Sequence, residues 1–171
     1  MEFEVIRGDI AQQSADVLVN AAGTSLRMGS GVAGALRRAG GEAINEDAVE
    51  QGPIDLAEVA VTDAYDLDAG WVIHAAAMPH YGDGNATAES IESATRNALR
   101  EADDLGAESL VIPALGCGVA GFDLREGGRI ICGTIHQYEP GPLSEVRLIG
   151  YSDEAFETLV EVAKELRNGG A

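Results

Sequence analysis

Two segments of the chain repeat one spacing of glycines: Gly29-Ser30-Gly31-Val32-Ala33-Gly34 and Gly116-Cys117-Gly118-Val119-Ala120-Gly121 both read G-x-G-x-x-G. Glycine lets backbone N–H groups approach an anion closely, and a helix that follows aims the positive end of its dipole at the same point. One such match is weak, because glycine-rich turns often do no more than reverse the chain. Two matches, each expected at a strand-to-helix transition, point to a pair of loops that face each other across one diphosphate and hold it by backbone donors. The obvious rival is a dinucleotide site of the Rossmann type, which needs an acidic residue about 20 positions after the glycine turn, at the end of the next strand. Counting on from Gly31 leads to Glu50-Gln51-Gly52-Pro53, and from Gly118 to Tyr138-Glu139-Pro140, each after a helical segment. Neither loop meets the requirement.

Other groups with chemical potential are sparse. His74 sits inside an apolar run, where a lone histidine is more often a satisfied core residue than a catalyst. His80 and Asp83 follow that run in Pro79-His80-Tyr81-Gly82-Asp83-Gly84 and are expected near the carboxyl edge of a sheet, where either could orient a water; a polar surface loop is the simpler account. Cys117 lies between glycines ahead of a helix, a setting that lowers a thiol pKa, although a small residue filling a tight loop explains it as well. The three histidines and two cysteines show no C-x-x-C or H-E-x-x-H spacing, so no metal site is expected.

The elements that must position these loops are legible as apolar runs of strand length over 3–6, 16–19, 59–64, 71–75, 109–114 and 146–151. The run Leu110-Val111-Ile112-Pro113-Ala114-Leu115 is apolar without alternation, which fits a central strand covered on both faces. Helical spacing occupies 32–39, 42–50, 88–105, 124–136 and 153–166. Asp123 and Ser152 are placed as caps, Gly106 as a C-terminal stop and Arg167 as the close of the last helix. The expectation is an α/β fold of three layers, α/β/α, with a mixed six-stranded sheet, in a single domain over 1–167 and a flexible tail over 168–171.

Composition narrows the partners. Acidic residues number 29 against 11 basic ones, giving a formal charge of −18, and the only lysine is Lys164. Such a field repels a phosphate backbone, so duplex nucleic acid is disfavoured as a partner. The same balance suggests adaptation to high salt, where counterions screen self-repulsion. No apolar run approaches the roughly 20 residues that span a bilayer, and no basic leader opens the chain, so a cytoplasmic protein without membrane association is expected; the expected state is a monomer. Two cysteines are too few for a disulfide framework.

Taken in order, several segments resemble the macro domain family: Gly8-Asp9-Ile10, Val19-Asn20-Ala21-Ala22 leading to Gly29-Ser30-Gly31-Val32-Ala33, then Gly52-Pro53-Ile54, Val72-Ile73-His74-Ala75-Ala76, and Ile112-Pro113-Ala114 before the second glycine loop. The resemblance covers nearly the whole chain. It implies binding of ADP-ribose, free or on ADP-ribosylated proteins, as ligand and with no cofactor. Carried over by matching position, Asp9 would accept a hydrogen bond from the adenine amine with Ile10 beside it, and Tyr151 would place a ring against the base. Gly31 and Val32 would reach the distal phosphate and ribose, and the loop from Gly116 through Cys117, Gly118, Val119, Ala120 and Gly121 to Phe122 would hold the diphosphate. Asn20 and Gly23 would complete the cleft. Read by itself, Asp9-Ile10-Ala11-Gln12 is also an N-cap with Gln at the third helical position.

The departures bear on activity. Where the family usually carries a second Asn contacting the distal ribose, this chain has Gly23, and where members that cleave ADP-ribosyl esters often carry Asp, it has Ala33. An aromatic that commonly closes over the ribose is replaced by Ala120, with Phe122 two residues on. The expected function is therefore a receptor for ADP-ribose. The alternative is an ADP-ribosyl hydrolase or an ADP-ribose phosphate phosphatase.

Overall fold

The computed structural model describes residues 1–80, 83–118 and 120–169. Six strands, β1 (Glu2–Arg7), β2 (Val17–Gly23), β3 (Val59–Asp63), β4 (Trp71–Met78), β5 (Ser109–Pro113) and β6 (Glu145–Gly150), form one sheet in the order β1-β6-β5-β2-β4-β3. All neighbours run parallel except β3, which is antiparallel to β4 and makes the sheet mixed. Helices α1 (Gly31–Gly40), α2 (Glu42–Gln51), α3 (Ala88–Asp104), α4 (Leu124–Gln137) and α5 (Asp153–Gly169) cover it.

Period-two alternation divides the strand side chains between two cores. Val17, Val19, Leu110 and Ile112 join residues of α3, α4 and α5, while Leu18, Val72, Val111 and Ile149 join residues of α1 and α2. The unbroken apolar run in β5 follows from this, since both of its faces are buried at one of the two central places of the sheet. With few aromatics, α3 packs closely through Ala94, Ala98 and Ala102.

Helix ends follow local chemistry. Thr87 and Ser90 form a capping box on α3, Asp123 accepts from Glu126 N at 3.0 Å to start α4, and Ser152 Oγ accepts from Ala155 N at 3.1 Å at the start of α5. Gly106, at φ +78°, follows α3 in the left-handed conformation that closes helices. The last helix does not stop at Arg167: Asn168 and Gly169 continue α5, and 170–171 lie outside the described residues. Strand β2 also outruns its expected end at Val19 and continues to Gly23. Among the described residues no helix is long and apolar enough to cross a membrane.

Candidate functional site

Five parallel strands deliver their carboxyl ends to one edge of the sheet, and β2 and β5, the central pair, separate there. Their ladder runs through Val17–Leu110 and Leu18–Val111, after which β2 stays paired with β4 as far as Gly23 and β5 stays paired with β6 as far as Pro113. The chain leaving β2 enters α1 on one face of the sheet, and the chain leaving β5 enters α4 on the other. Two loops that diverge to opposite faces leave a crevice between them, the arrangement in which open α/β sheets gather ligands. The cleft measures about 590 Å³, within the range of small-molecule sites.

Both glycine loops border it. Gly31 (φ +61°) and Gly116 (φ +77°) need the left-handed conformation, and the cleft is lined from one side by Ser30, Gly31 and Val32 and from the other by Gly116, Cys117, Gly118 and Ala120. A Cβ built on Gly118 would meet nothing within 4 Å, so the space beside it is open. Gly121 (φ +75°) shapes the turn beside Asn85 and is not among the lining residues, and neither is Phe122, which packs against the α3–α4–α5 core. Val119 lies outside the described residues.

Asp9 and Ile10 line the cleft where β1 ends, and Tyr151 lines it where β6 ends, with 79% of its surface exposed. Asp9 is also the cap of a single 3₁₀ turn, Ile10–Gln12, its Oδ1 accepting from Ala11 N at 2.9 Å. The cap is therefore real, and it does not exclude the other reading of Asp9, because the capping bond uses one oxygen and no hydrogen bond from a described residue engages Oδ2.

Asn20 does not reach the cleft. With β2 continuing past Val19, Asn20 lies within the strand, 1% exposed, and its Nδ2 donates to His74 Nδ1 at 2.9 Å. Accepting there leaves the ring proton on Nε2, which donates to Thr62 Oγ1 at 3.0 Å. Asn20, His74 and Thr62 thus form a polar rung across β2, β4 and β3. Burial pushes the His74 imidazole down to about 4, against a small opposing pull from Asp47, so it is neutral. Gly23, likewise absent from the lining, occupies an irregularity of β2 without positive φ; a Cβ there would stand 3.0 Å from Pro79 O.

The candidate water-orienting residues also stand apart. His80 and Asp83 are exposed and do not line the cleft; the His80 N–H donates to Thr24 Oγ1 and the Asp83 N–H to His80 O. Cys117 does line it, but its Sγ donates to Leu115 O at 3.4 Å and nests where a Cβ on Gly127 would sit 2.2 Å away. Burial, with Asp123 nearby, raises the thiol to about 11, so the lowered pKa offered as one reading is not realised. No group of three or more His, Cys, Asp or Glu able to hold a metal ion occurs among the described residues.

Sequence reasoning missed Arg38, which lines the cleft from the last turn of α1. A basic residue there reads as a helix C-terminal charge, and the signal that sets it apart is Gly34 one turn earlier.

A family model described as "Macro domain" matches residues 19–138. An uncharacterized protein of Mycobacterium tuberculosis is 40% identical over 168 residues, which is 96% of this chain and 46% of that protein, so the chain spans about half the length of this relative. An uncharacterized protein of Sulfolobus acidocaldarius is 37% identical over 95% of this chain and 90% of its own length. Among solved structures, a mutant macrodomain of Oceanobacillus iheyensis with ADPR superposes with a TM-score of 0.89 at 26% identity, covering 97% of this chain and 94% of that one.

Proposed function

The chain belongs to the macro domain family, and on that premise we propose that its cleft binds ADP-ribose, free or attached to protein. The observation that carries this reading is the parting of β2 and β5, which sets the loops at Gly31 and Gly118 on opposite sides of one crevice. Backbone N–H groups from the two loops hold the diphosphate. Asp9 uses its second oxygen to accept from the adenine amine, and the exposed ring of Tyr151 covers the base. Asn20 acts inside the sheet instead, holding His74.

The reading is of a receptor. General acid–base catalysis needs a group of suitable pKa within hydrogen-bond reach of the reacting atoms. Cys117 is a thiol at neutral pH, Ala33 carries no carboxylate, and His80 and Asp83 stand outside the cleft. Titration calorimetry with ADP-ribose and with NAD, followed by a single-turnover assay on glutamate-linked ADP-ribosyl protein, tests it. Micromolar or tighter ADP-ribose binding, weaker NAD binding and slow or undetectable release are expected. Equal affinity for NAD contradicts the ligand assignment, and rapid release contradicts the receptor.

A further inference from the structure

The protein carries 11 basic residues among 29 acidic ones, and most of its helix-surface arginines are engaged. Arg37 pairs with Glu42, Arg96 with Glu92, and Arg125 with Glu161 and Glu165 on the outer surface of α4 and α5. Arg38, next to Arg37, forms no ion pair among the described residues, yet it is the one basic residue among those described as lining the cleft.

Its side chain has a defined course. Helical side chains lean toward the preceding turn, and the preceding turn here offers Gly34. Arg38 Nη1 lies 3.2 Å from where a Cβ on Gly34 would be, and Gly29 O lies 3.3 Å from the same point. The absence of a side chain at Gly34 thus leaves room for the guanidinium on the side of α1 where Gly29 lies, at the edge of the first glycine loop. A guanidinium without an ion-pair partner among the described residues, beside a glycine loop that lines the cleft, in a molecule whose net charge of −18 opposes the approach of a diphosphate, has a clear electrostatic use.

We propose that Arg38 is a ligand contact that binds phosphate oxygens of the nucleotide from the side of the first glycine loop. The inference rests on the ADP-ribose reading and changes how the anion is held: backbone donors and one guanidinium act together. The planar fork of Arg suits phosphate oxygens, and a charge-assisted bond of this kind is the strong class of hydrogen bond. The cleft then carries Asp9 for the base and Arg38 for the phosphates.

The test is ADP-ribose titration of wild type, Arg38→Gln, Arg38→Lys and Arg125→Gln at low and high salt, with thermal midpoints recorded for each unliganded protein. Arg38→Gln is expected to weaken binding roughly tenfold or more at low salt and to flatten the salt dependence, without lowering the midpoint. Arg38→Lys should recover part of the affinity and keep the salt dependence, and Arg125→Gln should match wild type. If wild type binds ADP-ribose and Arg38→Gln reproduces both its affinity and its salt dependence, the Arg38 contact is overturned while the ligand assignment stands. If wild type does not bind ADP-ribose, the ligand assignment falls and takes this inference with it.

Discussion

At the scale of single residues, Asp9 caps a local turn and lines the cleft, so the proposed contact with the adenine amine would share one side chain with a structural role. Its Oδ1 caps the turn at Ile10–Gln12, and its other oxygen takes no hydrogen bond from a described residue. The two uses separate experimentally. Asp9→Asn keeps an acceptor for Ala11 N but loses the charge, so the free protein should keep its thermal midpoint while ADP-ribose binding weakens by about 1.5–3 kcal/mol. Asp9→Ala should show that loss and also about 1 kcal/mol of destabilisation from the missing cap. The binding loss should shrink when inosine replaces adenosine in the ligand. If Asp9→Asn binds as wild type does, Asp9 is a cap alone. From the sequence, the cap at Asp9 was legible because it depends on nearby residues, whereas the adenine contact was implied only by the family resemblance. Asn20 was misplaced because a polar residue after Val19 looks like the end of a strand; its partner His74 lies 54 positions away and that ring's other partner, Thr62, 12 positions before His74, and no local pattern announces such a rung.

At the scale of elements, the parting of β2 and β5 creates the cleft, and the glycine loops line it from both sides, where the proposed function has them hold an anion. Gly116 and Gly118 divide the labour. A Cβ on Gly116 would fall 2.7 Å from Ala86 Cβ in a backbone already at φ +77°, whereas Gly118 faces open space. Gly116→Ala should therefore cost about 1–3 kcal/mol of stability. Gly118→Val should leave the thermal midpoint close to wild type and reduce ADP-ribose affinity by two orders of magnitude or more, because the branched side chain fills the space beside the backbone donors. Denaturation and calorimetry on both variants check this, and the reverse pattern would contradict it. The strands and helices were readable from the period of their apolar residues, and the loops from their glycines. Where two paired strands separate depends on long-range register and left no mark in either segment, and Arg38 was hidden because its meaning depends on the room left at Gly34.

At the scale of the whole molecule, the sheet that supports the cleft depends on a neutral histidine at its interior. His74 is pushed down to about 4 by burial, from the ordinary 6.5, so between those values the unfolded chain takes up a proton that the folded one refuses. Its contribution to stability is present in full above pH 6.5 and is lost as pH falls toward about 4, a total of about 3 kcal/mol. Urea midpoints of wild type and His74→Gln near pH 7 and near pH 4.5 should show the smaller acid-induced drop in the variant; equal drops would assign the acid sensitivity to other groups.

The central claim, that ADP-ribose occupies the crevice between the two glycine loops, is tested most directly by mapping backbone amide shifts in NMR spectra as ADP-ribose is added. The account predicts saturable shifts concentrated at Asp9, Ala22, Gly31, Gly116, Gly118 and Tyr151, with the Asn20 side-chain amide little changed. Shifts confined to the groove between α4 and α5 around Cys132 and Arg167, or no saturable shifts at all, would contradict it.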